Sequence, residues 1–159
     1  MLRLAPQKKL IKSNVLTGLT IRRYDSFKSC PSFAKITTTA EQAALQKHGI
    51  HILFKQADDG SIILGDSHEY VPAYKQANFG FEISTEINEL MVEEAKKIIH
   101  LENWHIDSSW AGYYLQGTKS EVFTKEIDDV IHIINGIGGK GMTTSPGFTQ
   151  EYMQNLYQK

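Results

Sequence analysis

One cysteine, Cys30, stands in the 159 residues of this chain. A lone cysteine excludes an internal disulfide and any multi-cysteine metal site, and it fits a reducing compartment. Neither sign of charge dominates, with 17 Lys and Arg against 18 Asp and Glu. That balance argues against a nucleic-acid partner, because phosphate binding needs a clustered positive surface. Lys8, Lys9 and Lys12 form the one basic cluster near a terminus and read as a solvated face. The first residues lack the apolar core of a signal peptide, and no run approaches membrane-spanning length. The expectation is a cytoplasmic protein with no membrane and no nucleic-acid partner. Also missing are a Gly-x-Ser-x-Gly elbow, a Walker loop, a His-Glu-x-x-His pair, internal repeats and low-complexity linkers.

What remains is a composition of 41% hydrophobic and 22% charged residues, that of a folded chain. Residues 1–13 give no periodic signal. Val15 to Tyr24 alternates like a strand, with Leu19 and Ile21 on one face and Thr20 and Arg22 on the other. An aromatic loop follows around Phe27, Cys30 and Phe33, where a lone cysteine is expected as a small buried apolar group. Thr39 with Gln42 predicts a capping box opening a short helix, and Gly49 its stop. Ile50 to Gln56 and Ser61 to Gly65 predict a hairpin, with Ile50, Ile52 and Phe54 inward and Asp58-Asp59-Gly60 as the turn. Ile87, Met91, Ala95, Ile98 and Leu101 trace the apolar stripe of a helix reaching about His100. Trp104 to Leu115 reads as a strand broken at Gly112, and Glu126, Asp128 and Asp129 precede the last strand.

The stretch from Val130 to Met153 carries the densest set of signals. Val130 to Ile134 is a short apolar run of the kind buried on both faces of a sheet. Four glycines follow between Asn135 and Gly141, and Ser145-Pro146 predicts a helix start. Tyr152, Met153 and Leu156 suit the inner side of that helix, with Phe148 one turn earlier. A strand, a glycine loop and a helix N-terminus can present N–H groups to an anion or a polarised carbonyl; the same segment can equally be a tight connection that binds nothing. Together these elements predict an α+β fold with a mostly antiparallel mixed sheet. The expected division is an α+β domain over residues 1–128, then a strand, glycine loop and helix over 129–159. The last strand then needs neighbours, supplied either by a larger protein of which this chain is a fragment or by an oligomer.

Few residues offer chemistry. Asp66, His68 and Glu69 suit acid–base or metal roles, but their spacing matches no metal signature. A turn-stabilising Asp with a packed His is the preferred reading, and no metal is expected. No catalytic residue is assigned. Trp104, Trp110, Tyr113 and Tyr114 could line a pocket or simply fill a core.

Several of these segments resemble the C-terminal portion of flavin-dependent oxidoreductases of the D-amino-acid oxidase and glycine oxidase superfamily. The resemblance is nearer to a branch of FAD-dependent oxidoreductases, some of them linked to phosphonate metabolism. It runs through Met1-Leu2-Arg3, Ala5-Pro6-Gln7, Arg23 to Phe27, Cys30-Pro31-Ser32 and Gly49-Ile50-His51-Ile52. It continues in Gly65-Asp66-Ser67-His68-Glu69-Tyr70, the most specific piece, in Trp110-x-Gly112-x-Tyr114, and in Gly136 to Gly147. The resemblance implies oxidation of a small amine or amino-acid-like substrate, with 1–128 as the substrate-binding domain and 129–159 as part of an incomplete FAD-binding domain. Flavin contacts are implied for Gly136, Gly138, Gly139, Gly141, Met142, Thr143 and Thr144, and substrate contacts for Tyr113, Tyr114 and His68. The opening dinucleotide-binding glycine loop of that superfamily is missing, so the chain reads as truncated, inactive alone, unable to retain FAD and prone to self-association. No arginine stands between Gly112 and Gln116 to grip a carboxylate, which disfavours an ordinary α-amino acid or moves the clamp to Arg22 or Arg23. The rival expectation is a non-enzymatic domain that kept this fold and binds a ligand or partner.

Overall fold

A computed structural model describes residues 1–23, 27–75, 80, 82–118, 120 and 122–158. Tyr24, Asp25 and Ser26 lie outside the described residues, as does the side chain of Arg23. The chain divides into two compact units, Met1–Ala111 and Gly112–Lys159. Residue 128, after which a boundary is expected, lies in a hairpin turn of the second unit.

The first unit is an antiparallel sheet of five strands, β1 (Leu2–Leu4), β2 (Val15–Leu16), β3 (Leu53–Gln56), β4 (Ile62–Gly65) and β5 (Ile106–Ser109), in the order β2-β3-β4-β1-β5. Helices α1 (Gly18–Arg23), α2 (Ala40–Lys47) and α3 (Thr85–Lys96) complete it. The β3–β4 hairpin forms as its alternation predicts: Ile50, Ile52 and Phe54 are all buried. Its turn closes with Ala57 N–H donating to Ser61 O at 2.8 Å, and Gly60 takes φ +84°. Side chains of Leu2, Leu4, Ile62 and Leu64 join Leu45 of α2 and Met91, Val92 and Ala95 of α3 in one apolar core. Each fully buried side chain of this size contributes about 1.5–3 kcal/mol.

Both helix starts are capped from the sequence. Thr39 Oγ1 accepts from Gln42 N–H while Gln42 Oε1 accepts from Thr39 N–H, each at 3.3 Å. Ser84 Oγ accepts from Ile87 N–H at 3.3 Å and opens α3. That helix ends at Lys96, short of His100; Met91 and Ala95 of the stripe are buried, Leu101 is buried beyond the helix, and Ile98 is exposed.

Four expectations are corrected, the third of them reaching into the second unit. Leu2–Leu4 is the strand between β4 and β5, although residues 1–13 carry no readable period; three residues are too few to show one. Within the strand expected from Val15 to Tyr24, pairing of β2 with β3 ends at Leu16, opposite Leu53. Thr17 N–H donates to Ile52 O and the backbone then closes its own bonds as α1, which buries Thr20 and exposes Ile21. The strand expected from Trp104 to Leu115 keeps only Ile106–Ser109, and Trp110, Tyr113, Tyr114 and Leu115 are exposed. Cys30, expected inside, is exposed as well.

The second unit pairs β6 (Phe123–Ile127) with β7 (Ile131–Asn135) antiparallel, followed by a 3-10 turn at Gly138–Lys140 and α4 (Gly141–Tyr157). Asp128 and Asp129 take φ +51° and +54° at the hairpin turn, a region aspartate tolerates better than most residues. The apolar run is not buried on both faces: Val130 is 75% exposed, and Ile131, Ile133 and Ile134 are also exposed. Its one paired neighbour among the described residues is β6, so neither face is covered as a central strand would be. Helix α4 starts at Gly141 rather than near Ser145. Pro146 therefore sits inside it, where it has no N–H to donate to the Met142 carbonyl on an exposed turn. Phe148, Tyr152 and Leu156 are half-buried as their spacing predicts, whereas Met153 is exposed. His132 Nδ1 lies 3.2 Å from Tyr152 Oη and ties α4 to the ribbon.

Candidate functional site

The first unit gathers His51, Asp66 and His68 at the open end of the β3–β4 hairpin. Beyond the strands proper, His51 and Asp66 exchange both backbone bonds, N–H to O at 3.0 and 2.8 Å. This pairing puts their side chains on one face. His68 arrives from the following turn, where its N–H donates to His48 O at 3.1 Å.

Gly49 makes that docking possible. It ends α2 at φ +56°, and a Cβ there would come within 2.7 Å of the His68 carbonyl oxygen. Gly49→Ala is expected to cost about 1–2 kcal/mol from the left-handed backbone alone. It should also displace His68. A thermal melt reads the first effect and the imidazole proton shifts of His68 the second; unchanged shifts would show that Gly49 does not position the ring.

At the centre, His51 Nε2 stands 2.6 Å from Asp66 Oδ1, and His68 Nε2 stands 3.1 Å from Asp66 Oδ2. The two Nε2 atoms are 3.2 Å apart. His51 Nδ1 lies 3.2 Å from the hydroxyl of buried Thr20, which orients the ring from its far side. The His51 and His68 side chains are 3% and 10% exposed and Asp66 22%, so solvent reaches the group over the carboxylate. Burial pushes the Asp66 carboxyl up, but the two imidazoles outweigh it and hold the group well below the usual carboxylate range. Asp66 Oδ1 is buried and, close as it lies to His51 Nε2, meets the geometry of no hydrogen bond among the described residues. Such an arrangement can hold a proton between imidazole and carboxylate, or bind a cation.

Of the residues expected to bring chemistry here, Asp66 and His68 meet; exposed Glu69 does not join them among the described contacts. His51 went unassigned because it reads only as the polar member of an alternating strand. The signal was the hairpin itself, whose turn at Asp59 brings residue 51 opposite the segment that starts at residue 66.

In the second unit, Gly136 and Gly138 take φ +79° and +67°, and the loop folds beside Tyr114. A Cβ at Gly139 would sit 3.5 Å from Tyr114 Oη, an ordinary contact, whereas one at Gly141 would meet Ile137 Cγ2 at 3.1 Å. No side chain caps the start of α4. Met142 and Thr143 are exposed there, and the Thr144 hydroxyl donates to Lys140 O at 3.0 Å. Tyr113 and Tyr114 belong to this unit but to no strand, so the sheet expected to carry them does not extend to them. The N–H of Gly141 already donates to the Gly138 carbonyl at the end of the 3-10 turn. In the first unit Arg22, one of the two alternative carboxylate clamps, donates to Gln42 Oε1 at 3.1 Å.

Among the described residues, no helix is long and apolar enough to cross a membrane. Compared with known proteins, the chain matches no family model, no curated protein and no solved structure.

Proposed function

We propose that this chain is the substrate-side part of an FAD-dependent oxidoreductase acting on a small amine or amino-acid-like substrate. The reading rests on the resemblance, and one observation carries it. Gly65–Tyr70, its most specific stretch, folds onto Gly49–Ile52, a second stretch of the same resemblance, and together they build the His51–Asp66–His68 group. Residues of a mere turn would have no need to converge side chain to side chain. The glycine loop and uncapped start of α4 add support, since backbone N–H groups there can stabilise negative charge on a flavin edge.

A bound flavin supplies the two-electron acceptor chemistry. The chain's own contribution is to orient: Gly138 and Gly139 allow close approach, Tyr114 lies beside them, and Thr143 offers a hydroxyl. Within the second unit, substrate contacts are assigned to Tyr113 and Tyr114.

The test places a dinucleotide-binding domain from an oxidoreductase of that superfamily ahead of Met1. The folded chimera is expected to be yellow, with a flavin reduced anaerobically by small amines. Gly139→Val should lower flavin occupancy and reduction while leaving the melting temperature nearly unchanged, because a Cβ there meets only ordinary contacts. A folded but colourless chimera, or a flavin indifferent to Gly139→Val, would overturn the reading and leave the loop a connection. The chain by itself is expected to elute without flavin.

A further inference from the structure

We propose that His51 Nε2, the Asp66 carboxylate and His68 Nε2 form a three-ligand site for a first-row divalent transition metal ion of the zinc type. The site uses the same group that supports the flavin reading, but metal uptake is measured without flavin, so the two can fail separately. It rests on distances, on an orphaned oxygen and on a supporting hydrogen bond.

The distances come first. His51 Nε2 lies 2.6 Å from Asp66 Oδ1, His68 Nε2 lies 3.1 Å from the other carboxylate oxygen, Oδ2, and the two nitrogens are 3.2 Å apart. Ligands bound at about 2.0–2.1 Å with angles between square and tetrahedral stand about 2.9–3.4 Å apart. The edges His68–Asp66 and His51–His68 fall in that range, and the third needs only a few tenths of an ångström.

Proton bookkeeping points the same way. Three groups that carry lone pairs face one small space. A neutral imidazole has one N–H, and when His51 keeps its proton on Nδ1 beside Thr20 Oγ1, its Nε2 becomes a bare lone pair. Asp66 Oδ1 is buried and without a hydrogen bond. One cation would bind that oxygen and take both nitrogens as ligands in place of their 3.2 Å contact with each other.

The donor set selects the kind of ion. Two imidazoles and one carboxylate suit zinc, iron(II), cobalt or nickel, whereas calcium and magnesium favour all-oxygen sets. Three protein ligands leave a coordination position open, and the partial exposure of Asp66 puts it within reach of water or a small ligand. Thr20 is a positioning residue for the His51 ring.

Chelator-treated full chain titrated with Co2+ and Zn2+ tests the site. The expected result is one ion per chain, visible d–d bands for Co2+, and a rise in melting temperature with Zn2+. Asp66→Asn and His68→Ala should abolish stoichiometric uptake, Thr20→Val should weaken it about 10–100-fold with the ligands intact, and His105→Ala, on an exposed side chain, should change nothing. Uptake by the wild type no greater than by folded Asp66→Asn would overturn the proposal. Where a variant fails to fold, X-ray absorption on the wild-type zinc complex decides. Two imidazole ligands support the site, and a first shell without them overturns it.

Discussion

Leu64→Ala is expected to remove about 3–5 kcal/mol from the stability of the first unit. Leu64 is 1% exposed, lies in β4 between β3 and β1, and packs in the core shared by α2 and α3. Neighbours on both sides prevent the sheet from collapsing into the vacated space, so the transfer loss and the cavity add. A domain holds only about 5–15 kcal/mol in total, so much of the unit's margin goes. Gly65 and Asp66 follow directly in sequence, and the His51–Asp66–His68 group should be lost in the same transition. Urea denaturation followed by Trp104 fluorescence and by His68 proton shifts measures both. Ile133→Ala, on a side chain 38% exposed, should cost under about 1 kcal/mol in parallel. Equal costs at the two positions would contradict this division of the chain.

The second large effect concerns amide exchange. At low concentration the amides of β6 and β7 should exchange roughly a thousand-fold faster than those of β3 and β4, a gap of about 4 kcal/mol in opening energy. Among the described residues of the second unit only Gly136 is buried, and α4 buries none of its side chains. A ribbon of two strands with half-buried contacts to one helix has little to hold it closed. Raising the concentration should restore protection as exposed Val130, Ile131 and Phe123 find cover in further copies. Light scattering measures the association. Protection of β6 and β7 equal to that of β3 and β4, in a chain that scatters as a monomer, would refute both halves of the expectation.

Much of the first unit was legible where the signal was local. The Thr39–Gln42 box, the Ser61–Gly65 arm and the inward Ile50, Ile52 and Phe54 all follow from periodicity or capping, which need only neighbours in sequence. What escaped depends on partners far along the chain. Leu2–Leu4 is a strand because β4 and β5 flank it, and the alternation of Val15 to Tyr24 did not show that pairing with β3 covers only Val15 and Leu16 before α1 begins. The Val130–Ile134 run carries the composition of a covered strand and lacks the cover, so composition alone pointed to a neighbour that this structure does not show. For the candidate site, Asp66 and His68 were visible as polar residues after a strand. His51 was hidden by its ordinary place in an alternation, although the hairpin turn fixed its partner.

The position of β1 also sets an order of events during synthesis. Of the five strands of its sheet it leaves the ribosome first, yet Leu2 pairs with Leu64 on one side and with Ser109 on the other. At about 5–20 residues per second, roughly 5–20 s separate the making of β1 from that of its second partner. Gln7 keeps the same timetable, because its side-chain amide bonds the backbone of Glu102 and Asn103. Through that interval one flank of Leu2–Leu4 has no mate, and a nascent chain would benefit most from a chaperone that shields this short apolar segment until Ile106–Ser109 emerges.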